Sequence, residues 1–150
     1  MKRQKADFFI KRYQLEHFVP LALTVFSFYF WFNGFQQNLI YFVGLIINII
    51  GLIIWWSAKI TLAEDWSAGY GQPEIKKLVT RGVYSKIRHP LYWGINLTLI
   101  GLSLVHLNIF LIILSSLIII YFFVRMRAED KFLIKELGEK YLNYKKGTWI

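Results

Sequence analysis

The stretch LYWGINLTLIGLSLVHLNIFLIILSSLIIIYFFV, residues 91–124, contains no acidic or basic side chain other than His106. Read as one helix rising ~1.5 Å per residue, it would be roughly 50 Å long, well beyond the ~30 Å hydrocarbon core of a bilayer. His106-Leu107-Asn108 divides it into two apolar runs, 91–105 and 109–124, so the expectation is a membrane hairpin that turns at these three residues. Two further apolar runs precede it, at 18–32 and 39–56. The sequence therefore predicts an all-α, polytopic membrane protein with about four transmembrane helices, forming a single domain over residues 1–150.

Composition agrees: 56% of the 150 residues are hydrophobic and 19% aromatic, more than a water-soluble domain usually carries. The net charge of +9 would raise nucleic-acid binding in a soluble protein, but its placement assigns it elsewhere. Of the 18 Lys and Arg residues, five precede the first run, six lie between Lys59 and Arg88, seven follow Val124, and none lies at 33–38 or 106–108. The positive-inside rule then puts both termini, the 57–90 loop and the 125–150 segment in the cytoplasm. Trp31, Trp55, Trp56, Tyr92 and Trp93 sit near run ends, as an aromatic belt requires. With no cysteine, disulfides, Cys-ligated zinc and thiol catalysis are excluded. No metal site and no nucleic-acid partner are expected, the oligomeric state is left open, and no cleavable signal peptide is evident, the basic start being too long for one. The expected setting is the cytoplasmic membrane of a prokaryote.

Two sets of small or polar residues recur at helical spacing, Gly44/Asn48/Gly51 and Gly94/Thr98/Gly101. They read as faces for close helix packing, with Asn48 as a structural hydrogen bond or a ligand contact.

Chemistry has to be built at the cytoplasmic surface, where the ionisable groups are. Arg88 and His89 directly precede Pro90; proline suits a first helical turn and keeps His89 out of helical geometry, which holds both side chains at the mouth of the third helix. The positive end of the helix dipole there favours an anion. Beyond the fourth run, 125–146 reads as an amphipathic helix on the membrane surface. On it Met126, Glu129, Asp130, Leu133, Ile134, Leu137, Tyr141 and Tyr144 share an arc of roughly 140° at ~100° per residue, with Lys140 and Phe132 out of pattern and Gly138 a point of interruption. Both carboxylates thus fall on the apolar side, where they either pair with Arg125 or Arg127 or serve a ligand.

Leu78-Val79-Thr80-Arg81-Gly82-Val83-Tyr84, Arg88-His89-Pro90-Leu91-Tyr92-Trp93-Gly94, Arg127-Ala128-Glu129-Asp130 and Gly138-Glu139-Lys140-Tyr141-Leu142-Asn143-Tyr144, taken in this order around a hairpin, resemble the isoprenylcysteine carboxyl methyltransferase family and its phospholipid methyltransferase relatives. The resemblance covers about the last 90 residues, from Trp66 onwards. It implies S-adenosylmethionine as cofactor, lined by Tyr84, His89, Pro90, Tyr92, Glu129 and Asp130, with Arg88 and Glu129 as catalytic residues. A lipid-like or prenylated acceptor at the cytoplasmic face is implied too: the carboxylate of an isoprenylcysteine or, alternatively, a phospholipid amine. Val83 stands where the family usually has proline, and Asp130 where it usually has a second Glu. Two other classes fit part of the pattern: an NADPH-dependent sterol-type reductase, whose usual Asn before the Tyr and acidic residue after the Gly are Leu91 and Ile95 here, and a non-enzymatic adaptor on anionic lipid.

Overall fold

A computed structural model describes residues 22, 24, 25, 28, 29, 38–63 and 78–149. Four α-helices are bounded in it, α1 Leu39–Ala63, α2 Pro90–His106, α3 Ile109–Leu137 and α4 Glu139–Lys146, with a 3-10 turn at Gly82–Ser85 before α2. There is no strand among the described residues. The expected first run, 18–32, lies outside them apart from Ala22, Thr24, Val25, Phe28 and Tyr29, all helical.

α2 is the central helix, and its two sides are chemically different. One side meets α1 across the small residues: a Cβ added at Gly44 would stand 2.8 Å from the Gly101 carbonyl oxygen, and one added at Gly94 would stand 2.7 Å from the Trp55 Cβ. Only glycine lets the backbones approach this closely. Asn48 Nδ2 donates to the Thr98 carbonyl at 3.0 Å in the same interface, so of the two readings of Asn48 the structural hydrogen bond is the one found. The other side of α2 meets α3 through Tyr92 on Phe122, ring centroids 5.2 Å apart, and through Ser103 Oγ donating to Ser115 Oγ at 2.9 Å.

The hairpin turns where expected. Leu107 takes a left-handed conformation with φ 46°, and Asn108 caps α3 by accepting from the Phe110 and Leu111 amides at 2.9 and 3.3 Å. An asparagine at this position satisfies two amides that begin a helix without partners.

Helix lengths differ from the sequence expectation in three ways. α1 continues seven residues past Trp56, because Lys59 folds its ammonium over the Trp55 and Trp56 rings, 5.0 and 5.4 Å from their centroids, and Thr61 Oγ1 donates to the Ser57 carbonyl at 2.8 Å. Among the described residues, two helices are long and apolar enough to cross a membrane, Leu39–Leu62 and Ile109–Leu137; α2, with 17 residues, is about 26 Å long and falls short of the ~30 Å core. Finally, 125–146 is not one surface helix. α3 runs unbroken for 29 residues to Leu137, its uncharged part 109–124 continuing directly into the charged extension. Gly138, with φ 53°, then breaks the chain and starts α4.

Exposed Ile46, Ile53 and Ile60 on α1 and Phe110, Leu117 and Val124 on α3 give both helices apolar outer faces of the kind that lipid covers.

Candidate functional site

The site forms where the mouth of α2, the charged extension of α3 and the α4 region converge. His89 caps α2 with φ −123° and ψ 57°, and Pro90 occupies the first helical turn. That local geometry aims the imidazole at α3 while its backbone carbonyl accepts from the Trp93 amide at 3.0 Å. His89 is 8% exposed.

Asp130 is the hub. Its Oδ1 lies 2.8 Å from His89 Nε2 and accepts from the Tyr141 hydroxyl at 2.5 Å, while Oδ2 accepts from Lys145 Nζ at 3.0 Å. Burial alone would raise this carboxyl, but the hydrogen bonds from Tyr141, His89 and Lys145 outweigh it and hold Asp130 down at about 2. An ionised carboxylate only accepts, so the His89 Nε2 carries the proton it donates. Burial, then the bond to Asp130, pushes the Tyr141 phenol well above its ordinary range, which keeps it a donor. Asp130 thus finds its partners on α2 and α4, not in Arg125 or Arg127.

Glu129 is placed differently. Its Oε2 is 3.9 Å from His89 Nδ1 and its side chain is 37% exposed. Together with Arg125 it flanks the Tyr92 hydroxyl. Tyr92 stacks at 6.0 Å from the His89 ring, so His89, Tyr92 and Glu129 form one patch beside the Asp130 hub.

Arg88 reaches the other way. Nη1 approaches the Lys145 carbonyl at 3.5 Å and Thr148 Oγ1 at 3.4 Å, and Nε is enclosed with no hydrogen-bond partner. The C-terminal residues close over the loop: Tyr144 donates to the Tyr84 carbonyl at 2.7 Å, and the Trp149 amide donates to the Lys86 carbonyl at 2.8 Å. Burial pushes the Tyr144 phenol up to about 12. Tyr84 itself is buried in the 3-10 turn, where Gly82 (φ 57°) passes close to Thr61 of α1. Val83 stands in the first turn of that segment, a position where proline is equally at home.

The fold therefore gathers His89, Pro90, Tyr92, Glu129 and Asp130, while the Arg88 side chain turns to Lys145 and Thr148 and Tyr84 lies one step away under Tyr144. Sequence reasoning gave no role to Lys145, Thr148 or the Tyr141 hydroxyl. A signal for Tyr141 was present, in its place on the apolar arc; Lys145 falls about 20° outside that arc at ~100° per residue and was not singled out.

The chain matches the family described as phospholipid methyltransferase over residues 39–140. It belongs to that family. The match starts at Leu39 and so takes in α1, which the motifs from Trp66 onwards had left unconstrained. Among curated relatives, a protein-S-isoprenylcysteine O-methyltransferase of Dictyostelium discoideum is 27% identical over 139 residues, covering 86% of this chain and 58% of that protein. One from Arabidopsis thaliana is 33% identical over 104 residues, 67% of this chain and 53% of the relative. A Saccharomyces cerevisiae enzyme of the same name is 39% identical over 69 residues, 45% of this chain and 29% of the relative. The chain spans a little over half the length of the first two. No solved structure matches it.

Proposed function

We propose that this protein is a methyltransferase that moves the methyl group of S-adenosylmethionine to a lipid-like acceptor at the cytoplasmic membrane surface, with the carboxylate of an isoprenylcysteine-type molecule as the acceptor atom group. The observation that carries the reading is the patch of His89, Tyr92 and Glu129, with its family motif, at the mouth of α2. The donor set fits an amino-acid sulfonium. The enclosed Arg88 Nε is a donor in want of an acceptor such as a carboxylate, and the partly exposed Glu129 carboxylate suits an ammonium or a hydroxyl. S-adenosylmethionine bound there would supply a methyl group activated by the positive sulfur.

The residues' task is alignment. An in-line displacement needs acceptor, methyl carbon and leaving group held on one axis, and such positioning can lower a barrier by several kcal/mol, up to about 7–11. Asp130, held by three donors, fixes the His89 ring, and His89 with Tyr92 makes a rigid wall. No protein nucleophile is needed, because a carboxylate acceptor is already one.

A second reading, methylation of a phospholipid amine, is favoured by the description of the matching family. An ammonium acceptor must first lose a proton, and Glu129 is the carboxylate placed to take it. The test common to both readings is ligand-dependent melting of the purified protein in detergent. S-adenosylmethionine should raise the melting temperature with increasing concentration; a rise with NADPH alone would instead support the reductase class.

A further inference from the structure

Asn96 is 1% exposed, and neither its Nδ2 nor its Oδ1 has a hydrogen-bond partner. Buried amides are almost always paired, since leaving them unpaired is costly. Its polar neighbours along α2 obey the rule: Thr98 donates to the Gly94 carbonyl at 2.9 Å, and the Ser103 hydroxyl has both the Leu99 carbonyl and Ser115 Oγ within hydrogen-bond reach at 2.9 Å.

Helical periodicity puts Asn96 on the side of α2 that carries Tyr92, Leu99 and Ser103. That side faces α3, as the Tyr92–Phe122 stack and the Ser103–Ser115 bond establish. Asn96 is therefore in the α2–α3 seam, seven residues or roughly 10 Å along the helix from His89. A single trapped water needs two to four polar partners, and on this face Leu99 offers no side-chain polar atom while the Tyr92 and Ser103 hydroxyls are already engaged.

We propose that Asn96 is a specificity-determining residue for the methyl acceptor: its amide donates to a carbonyl oxygen, ester or amide, carried in the acceptor's apolar part, when that part enters the α2–α3 seam and passes Asn96, roughly 10 Å along α2 from His89. The inference rests on the methyl-transfer reading and, of the two acceptors proposed for it, favours the ester-bearing phospholipid over the hydrocarbon prenyl tail. A plain hydrocarbon tail leaves the Asn96 amide unpaired, whereas a carbonyl-bearing tail satisfies it. Sites built to hydrogen-bond a substrate group reject analogues lacking that group far more strongly than apolar pockets reject a missing methylene.

Four probes in nanodiscs test this: S-farnesylcysteine and an analogue with an amide carbonyl in its chain, and phosphatidylethanolamine with ester-linked or ether-linked tails. The wild type should prefer the carbonyl-bearing member of whichever pair it methylates by tenfold or more in kcat/KM, chiefly through KM. Asn96→Leu should abolish that preference while S-adenosylmethionine binding is kept. Equal rates in the wild type, or a preference that survives in Asn96→Leu, would overturn the role of Asn96. The wild-type comparison decides even if the variant does not fold. Methylation of no probe, with S-adenosylmethionine bound, would instead reject both proposed acceptor classes and the inference with them, a result distinct from methylation without preference.

Discussion

His89 Nε2 lies 2.8 Å from Asp130 Oδ1, an approach between residues 41 positions apart in the chain. It joins the mouth of α2 to the extension of α3, and Tyr141 and Lys145 join α4 to the same carboxylate. One aspartate thus ties three helices together beside the patch that carries the proposed chemistry.

The two adjacent carboxylates should separate on mutation. Asp130→Asn removes the charge and turns one of the two accepting oxygens into an NH2 donor that cannot accept from Lys145, so the ligand-free protein should melt lower, with activity falling tenfold or more, about 1.4 kcal/mol in the barrier. Glu129→Gln should leave the ligand-free melting temperature unchanged and weaken S-adenosylmethionine binding by a similar factor. Equal effects of both variants on ligand-free stability would remove the distinction.

Stability should fall with acid through Asp130. Its folded value, about 2, lies below the ordinary 3.8, so its contribution is fully present above about pH 4 and is lost as pH drops towards about 2. Melting curves between pH 2 and 7 should show this loss in the wild type and a flatter profile in Asp130→Asn.

Tyr141→Phe keeps the ring and deletes the hydroxyl that donates to Asp130. A hydrogen bond to a charged group contributes about 1.5–3 kcal/mol, so the variant should melt several degrees lower. Its acid transition should move up towards the ordinary carboxylate value, which the same pH series would reveal.

Gly44 or Gly101 replaced by valine should force α1 and α2 apart, since even a Cβ at Gly44 meets the facing backbone at 2.8 Å. Overpacking of this kind costs about 1–3 kcal/mol or more. Gly138→Ala is the contrast, with nothing within 4 Å of the added carbon. Only its backbone opposes alanine, φ 53° with ψ −130° being a conformation that glycine alone adopts readily, at a cost of about 1–3 kcal/mol. Melting in detergent should order the variants accordingly.

What could be read from the sequence was local or periodic. The His89-Pro90 cap depends on two adjacent residues, the α1–α2 seam on small residues three and four apart, and the hairpin on Asn108 following an apolar run; all three are found in the fold. The path of the chain after Val124 was harder to read, because no breaker separates 109–124 from 125–137 and the helix simply continues. Periodicity carried Glu129 and Asp130 to the correct side and Tyr141 with them, although Gly138, with its positive φ, interrupts the helix between them. Lys145, which at ~100° per residue falls only about 20° outside that arc, reaches Asp130 at 3.0 Å with its long side chain. The burial of Asn96 without a partner had no sequence signal at all, since its apolar neighbours suit a lipid-facing position equally well.

The most direct test of the central claim is transfer of labelled methyl from S-adenosylmethionine into lipid by the purified protein supplied with a membrane lipid extract. The wild type should place label in the organic phase, released by mild base if the product is a methyl ester and retained if it is a methylated amine, and His89→Ala should lose most of it. Absence of labelled product and of S-adenosylmethionine binding in a folded wild-type protein would contradict the account.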